Sequence, residues 1–267
     1  MKIIKKGFIV LSMFALIKTS AFSQAKVHDG GVLAPPKVNI DGKNNEWGQL
    51  QVHTNNIDAD YTIANDNEKL YLIVTASNQL SARKILAGGM TFDIFLSSND
   101  KSKISIKYPL FSQANWPNIN LKDITDGKSS PISNNKMVDS FVNSNNIKLL
   151  GHSNEIKILG SNYSKDTLYS VYNESGINGA IAIDTKLNLS CEIAIPLKFL
   201  GLSAKQGGSI KYDIIVNGSN FADGNIIESV EGGTRVRAIG SAPLVPMQEM
   251  RYIRYPTDVK GAYTIVN

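Results

Sequence analysis

Apolar residues in this chain recur at every second position, not every third or fourth. Leu70, Leu72, Val74 and Ala76 alternate with Tyr71, Ile73 and Thr75. Ile104, Ile106 and Tyr108 alternate with Ser105 and Lys107, and Ile210, Tyr212, Ile214 and Val216 with Lys211, Asp213, Ile215 and Asn217. A strand points successive side chains to opposite faces, so each of these segments has one face to give to a core. Thr91 to Leu96, Glu155 to Leu159, Thr167 to Tyr172, Ala180 to Asp184 and Leu189 to Ile195 predict further strands. Polar turn clusters such as Asn65-Asp66-Asn67, Ser98-Asn99-Asp100 and Gly207-Gly208 separate them. Many short strands joined by such turns predict an all-β, antiparallel sandwich. Helix is expected to be scarce: a short one at Gln79 to Leu86, and a poor one at Asn135 to Leu149, diluted by Asn and Ser. After Pro196, Leu197 to Leu200 predicts a single turn stopped by Gly201.

The first 23 residues read as an export signal. Lys2, Lys5 and Lys6 precede the apolar run Phe8 to Ile17, and Ala21-Phe22-Ser23 offers a cleavage site before Gln24. Ten such residues rise about 15 Å as a helix, roughly half a bilayer core, so no membrane span is expected once the signal is removed. The expected location is therefore secreted or periplasmic. Residues 24–37 read as a flexible lead-in and 38–267 as one domain. The signal holds four lysines and no acid, which takes the formal net charge from +5 to +1. No basic stripe with interleaved aromatics remains, so nucleic acid is not an expected partner. Cys191 is the only cysteine, which rules out an intramolecular disulfide, and it alternates with Ile193 and Ile195 as a small core hydrophobe.

Two segments about 150 residues apart carry the strongest motif. The first is Val38-Asn39-Ile40-Asp41-Gly42-Lys43-Asn44-Asn45-Glu46-Trp47. The second is Ser190-Cys191-Glu192-Ile193-Ala194-Ile195-Pro196-Leu197-Lys198-Phe199-Leu200-Gly201-Leu202. Gly42 suits a tight bend, and Asp41 suits the turn it begins. Trp47 is large enough to close one end of the core, its indole N–H finding a backbone acceptor. Its expected place is therefore in one core with Leu72, Val74, Ile193, Ile195, Ile214 and Val216. The pair of segments resembles the opening and closing motifs of the family 9 carbohydrate-binding module and its DOMON-like relatives. Ala64 to Leu72 and Gly88 to Pro109 resemble the same proteins' second marker and middle strands. The resemblance implies a jelly-roll or immunoglobulin-like sandwich, secreted and non-catalytic. Its implied ligand is a carbohydrate or another extracellular small molecule.

Candidate ligand groups follow from sugar chemistry. An aromatic face stacks on a sugar's apolar C–H face, while Asn, Asp and Arg bond its hydroxyls. The resembling family uses two tryptophans, whereas here Trp116 is the only one besides Trp47. Asn115, Trp116 and Asn118, in a long loop from Pro109 to Lys136, are the candidate platform, with Arg235 and Arg237 from a second long loop, Gly218 to Pro246. Trp116 could equally tuck its loop against the sandwich. Tyr252 and Tyr255 could supply the second aromatic or belong to a last strand. No cofactor is expected. Calcium is the alternative occupant of the Asn65-Asp66 turn, but no matching set of six to eight oxygens is identifiable. No hydrolase, Walker or dinucleotide motif occurs. The carboxylates Asp184 and Glu192 are the residual glycoside-hydrolase pair, and Met90 with His152 a conceivable haem pair. The alternative to ligand binding is a structural or partner-binding envelope protein that has lost the sugar site. Oligomeric state is not legible.

Overall fold

The computed structural model describes residues 30–96, 103–111, 135–160, 168–219, 221–222, 225–230, 233–238 and 247–267. Two antiparallel sheets face one another. The first, sheet A, has the spatial order β1 (Val52–Thr54), β2 (Ala59–Asn65), β3 (Lys69–Ala76), β9 (Leu189–Pro196), β8 (Asn178–Ile183). Sheet B runs β14 (Thr257–Thr264), β10 (Ser209–Val216), β4 (Met90–Phe95), β5 (Lys103–Tyr108), β6 (Glu155–Leu159), β7 (Leu168–Ser170). The alternating segments are the strands that form them, with bounds within a few residues of those expected. The chain is an all-β antiparallel sandwich.

Alternation decides what lies between the sheets. Leu70, Leu72 and Val74 of β3 and Cys191, Ile193 and Ile195 of β9 meet Phe92, Ile94, Ile106, Ile214 and Val216 of sheet B in one buried cluster. Each large aliphatic or Phe so buried contributes about 1.5–3 kcal/mol relative to exposure. Polar atoms inside are matched: the hydroxyls of Tyr61 (β2) and Tyr212 (β10) meet at 2.9 Å across the gap. Cys191 lies wholly within this layer, and burial pushes its thiol well above the ordinary value.

Among the described residues three helices lie outside the sheets. In α1 (Gln79–Gly88), Asn78 caps the first turn by accepting from the Leu80 N–H at 2.7 Å. The poor helix forms as α2 (Asn135–His152), longer than its composition suggests. The stretch after Pro196 forms the expected turn, Leu197–Leu200, ending on a left-handed Gly201. At the C-terminal side one expectation fails and one of two open alternatives falls away. Residues 218–246 are not one long loop: β12 (Asn225–Val230) and β13 (Gly233–Ala238) pair as a hairpin, with β11 (Phe221–Ala222) beside β12. Tyr252 belongs to the third helix, α3 (Met247–Arg254), rather than to a last strand, and the true last strand starts at Thr257. Apolar side chains at Met250 and Ile253 recur at helical rather than strand spacing there.

Both ends of the described chain meet at Asn65. Its backbone N–H donates to Val32 O, and its carbonyl accepts from Ala34 N. Its side-chain amide donates to Val266 O at 2.7 Å, while its Oδ1 accepts from Val266 N at 3.0 Å and lies 2.8 Å from the Tyr263 hydroxyl. The expected turn follows at once. Asp66 accepts from the N–H groups of Glu68 and Lys69 and from the Tyr71 hydroxyl, each at 2.7 Å.

Candidate functional site: a carboxylate clasp and the cleft beside it

The two motif segments come together through one side chain. Glu192 sits on β9 with its side chain on the outer face of sheet A, opposite Ile73 of β3 and Ala180 of β8. Its Oε2 accepts from the N–H of Gly42 at 2.7 Å and of Asp41 at 3.0 Å, and its Oε1 from the Trp47 indole N–H at 2.7 Å. Burial pushes this carboxyl up to about 7, against the pull of the Trp47, Gly42 and Asp41 donors. Gly42 is required for the approach: at φ 78° a Cβ there would lie 2.5 Å from the backbone of Ile181 and Ala182 in β8. Asp41 Oδ1 accepts from Lys43 N at 2.9 Å, the turn bond its sequence position implies.

The segment thus crosses sheet A on its outer side. It touches β8 at Gly42, β9 at Glu192, β3 where Trp47 meets Tyr71 edge-on at 6.0 Å, and β2 where Gln51 N donates to Thr62 Oγ1. Trp47 therefore does not share the core between the sheets with Leu72 and Val74. It is half-buried on the opposite face, and its indole N–H finds a carboxylate instead of a backbone carbonyl. The physical reason is that β3 is apolar on both faces, Tyr71 and Ile73 included, and so demands a second cover.

Beside the clasp opens a cleft of about 410 Å³. Its floor is β8 from Asn178 to Ala182. One wall is the Ile40 to Lys43 turn and the other is α2 through Asn143, Asn146, Ile147 and Leu150. Tyr108, Val171 and Tyr172 close one side. Asn146 bonds the helix to the sheet edge twice: its Nδ2 donates to Ile183 O at 2.9 Å, and its Oδ1 accepts from Ile183 N at 2.7 Å. An amide side chain here takes the place of a neighbouring strand. The Tyr108 ring packs on the backbone of Gly179, where a Cβ would lie 3.0 Å away. At the rim, Tyr172 is 76% exposed, and Ile147 and Leu150 are each 63% exposed.

Of the candidate ligand residues, Asn115, Trp116 and Asn118 lie outside the described residues. Arg235 and Arg237 stand two apart on β13, paired in register with Glu228 and Ile226, in a strand instead of the expected loop. The residual carboxylate pair is spoken for. Glu192 is closed in the clasp, and Asp184 accepts from Lys186 N, Asn188 N and Asn188 Nδ2 at 2.8–2.9 Å. Met90 is wholly buried between the sheets. Among the described residues no group of three or more His, Cys, Asp or Glu side chains could hold a metal ion. No helix among them is long and apolar enough to cross a membrane. The cleft carried no advance signal in the sequence, because Tyr172 reads as the end of a strand and α2 has no apolar stripe.

In comparisons with known proteins, the chain matches no family model and no curated sequence.

Proposed function

We propose that this chain is a secreted, non-catalytic β-sandwich resembling a family 9 carbohydrate-binding module. In this reading it holds a sugar or similar extracellular small molecule in the cleft beside the clasp. The observation that carries the reading is Tyr172, an aromatic ring left in solvent at the rim of an open cleft with Asn143, Lys43 and Asp41 around it. A ring face takes a sugar's C–H face, and amide and charged groups take its hydroxyls. The connection that bears Asn115, Trp116 and Asn118 runs from β5, whose Tyr108 lines this cleft, to α2, whose Asn143 lines it too. That connectivity supports these residues as further ligand groups, and Arg235 and Arg237 remain proposed with them.

The test is a thermal-shift and calorimetric screen of the mature chain against mono- and oligosaccharides. A one-site ligand at a hundred times its Kd stabilises by about 2.7 kcal/mol, well within detection. Tyr172→Ala and Trp116→Ala are expected to abolish a shift seen with wild type. No shift across a broad panel overturns the reading. The second reading, a partner-binding envelope protein, is favoured by the exposed Ile147 and Leu150 on the same rim. It gains if the panel is silent and an Ile147→Lys, Leu150→Lys variant loses a self-association or complex that the wild type forms.

A further inference from the structure

Among the described residues, the outer face of sheet B carries exposed lysines beside buried Asp213, Asp93 and Ser105, and the strand register lays its side chains in rows. The central row reads Lys260, Asp213, Asp93, Ser105, Leu159 from β14 to β6. Its carboxylates have counter-ions. Lys103 Nζ stands 2.9 Å from Asp93 Oδ2, and Lys260 Nζ stands 3.5 Å from Asp213 Oδ2 and 2.9 Å from Asp258 Oδ2.

The next row differs. It reads Asp258, Ile215, Thr91, Lys107, Lys157, Leu168. Lys107 and Lys157 stand directly opposite one another on β5 and β6, an arrangement that costs stability unless something offsets it. Neither is ion-paired among the described residues. Lys107 is half-buried, and burial, with the Lys157 charge added, holds its amine below the ordinary lysine value. Thr91, the register partner of Lys107, donates to Asn217 Oδ1 at 3.1 Å, and the buried Asn217 Nδ2 has no acceptor. Two like charges thus face one another on adjacent strands with no ion-pair partner among the described residues. Exposed Leu159 and Leu168 form an apolar shelf beside them, and Glu155 is the acid that β6 carries on the same face.

We infer that the Lys107–Lys157 pair is a binding site for a carboxylate group of an acidic polysaccharide lying across β5, β6 and β7. The occupant is chosen by charge and shape. A carboxylate between the two lysines offsets their repulsion, in charge-assisted bonds stronger than neutral ones. The leucines offer surface to the C–H faces of neighbouring sugars. This site is on the opposite side of the sandwich from sheet A's clasp and does not depend on the cleft reading.

The experiment titrates the full mature chain with polygalacturonate, using neutral dextran and polyglutamate as controls. Saturable binding to polygalacturonate that weakens with salt is expected, with none to dextran. Lys107→Gln and Lys157→Gln should each weaken it about tenfold, as the loss of one charged hydrogen-bonding group implies. Both variants should melt no lower than wild type, since each removes a like-charge contact; a lower melting temperature marks the lysines as structural and counts against the site. The inference is overturned if polygalacturonate does not bind, if either control binds as well, or if the two variants bind unchanged.

Discussion

The two outer faces of this sandwich have opposite fates. On sheet A the outward side chains of Ala64, Ile73, Glu192 and Ala194 are wholly buried, because the chain from Val38 to Gln51 is laid across them. On sheet B the outward positions Lys103, Lys157, Lys211 and Lys260 stand in water. The same alternating pattern builds both sheets, so periodicity does not separate them. What separates them is the residue on the second face. Sheet A puts Tyr71, Ile73 and Ala194 there, which need covering, whereas sheet B puts lysines there, which reach water beside the buried Asp93 and Asp213. The most recognisable motif of the chain is therefore spent on closing a face. Among the described residues, the surfaces this leaves for a ligand are the cleft's rim and the lysine-bearing outer side of sheet B.

The sharpest way to break that comparison is to release the cover. Glu192→Gln leaves one acceptor oxygen where two are needed and turns an N–H₂ toward a donor. It is expected to cost about 3–5 kcal/mol, read as a fall in denaturation midpoint. A variant as stable as wild type would mean that the cover is dispensable. Trp47→Ala should cost about 2–4 kcal/mol, somewhat less than for a ring in the central core, because the indole is half-buried and loses one hydrogen bond. Asn146→Ala removes two bonds between α2 and β8. A loss of about 1–2 kcal/mol is expected, with faster hydrogen exchange at Ile183 N–H.

The outer face of sheet B gives a smaller, pH-dependent effect. Burial, together with the Asp258 and Asp93 charges, pushes Asp213 up to about 6 from its ordinary 3.8. The folded state therefore holds a proton that the unfolded chain releases. Asp213 then contributes stability that is full below pH 3.8 and is lost as pH rises through about 6. Asp213→Asn should flatten the stability profile in that window, and an unchanged slope would place the proton elsewhere. Smallest of all should be Tyr172→Ala, which at an exposed rim shifts stability by less than about 0.5 kcal/mol. A large loss there would make the ring part of the scaffold and weaken the cleft as a binding site.

Most strands were legible because each obeys a local rule: period two for the faces, Asx and Gly residues for the turns. The hairpin from Asn225 to Ala238 was not, since Ile226 and Ile227 stand side by side and Gly232-Gly233 reads as loop. Trp47 illustrates a different gap. Its size argued for burial, which is half true, but which face receives it depends on where Glu192 points once β9 pairs with β3. The clue was present in Tyr71 and Ile73, too apolar for a face left in water. The cleft was illegible because its walls come from four parts of the chain, and no local pattern links Asp41, Tyr108, Asn143 and Tyr172.

Asn65 has a mechanical consequence. Residues 32 and 266 are both hydrogen-bonded to this one residue, so the incoming and outgoing chain share an anchor point at one corner of the sandwich. A pull applied between those two residues would load the few bonds around Asn65 before it reached the eight-residue pairing of β10 with β14. The same closeness means that a short linker could join the two ends and the chain be reopened at an exposed turn without redrawing either sheet.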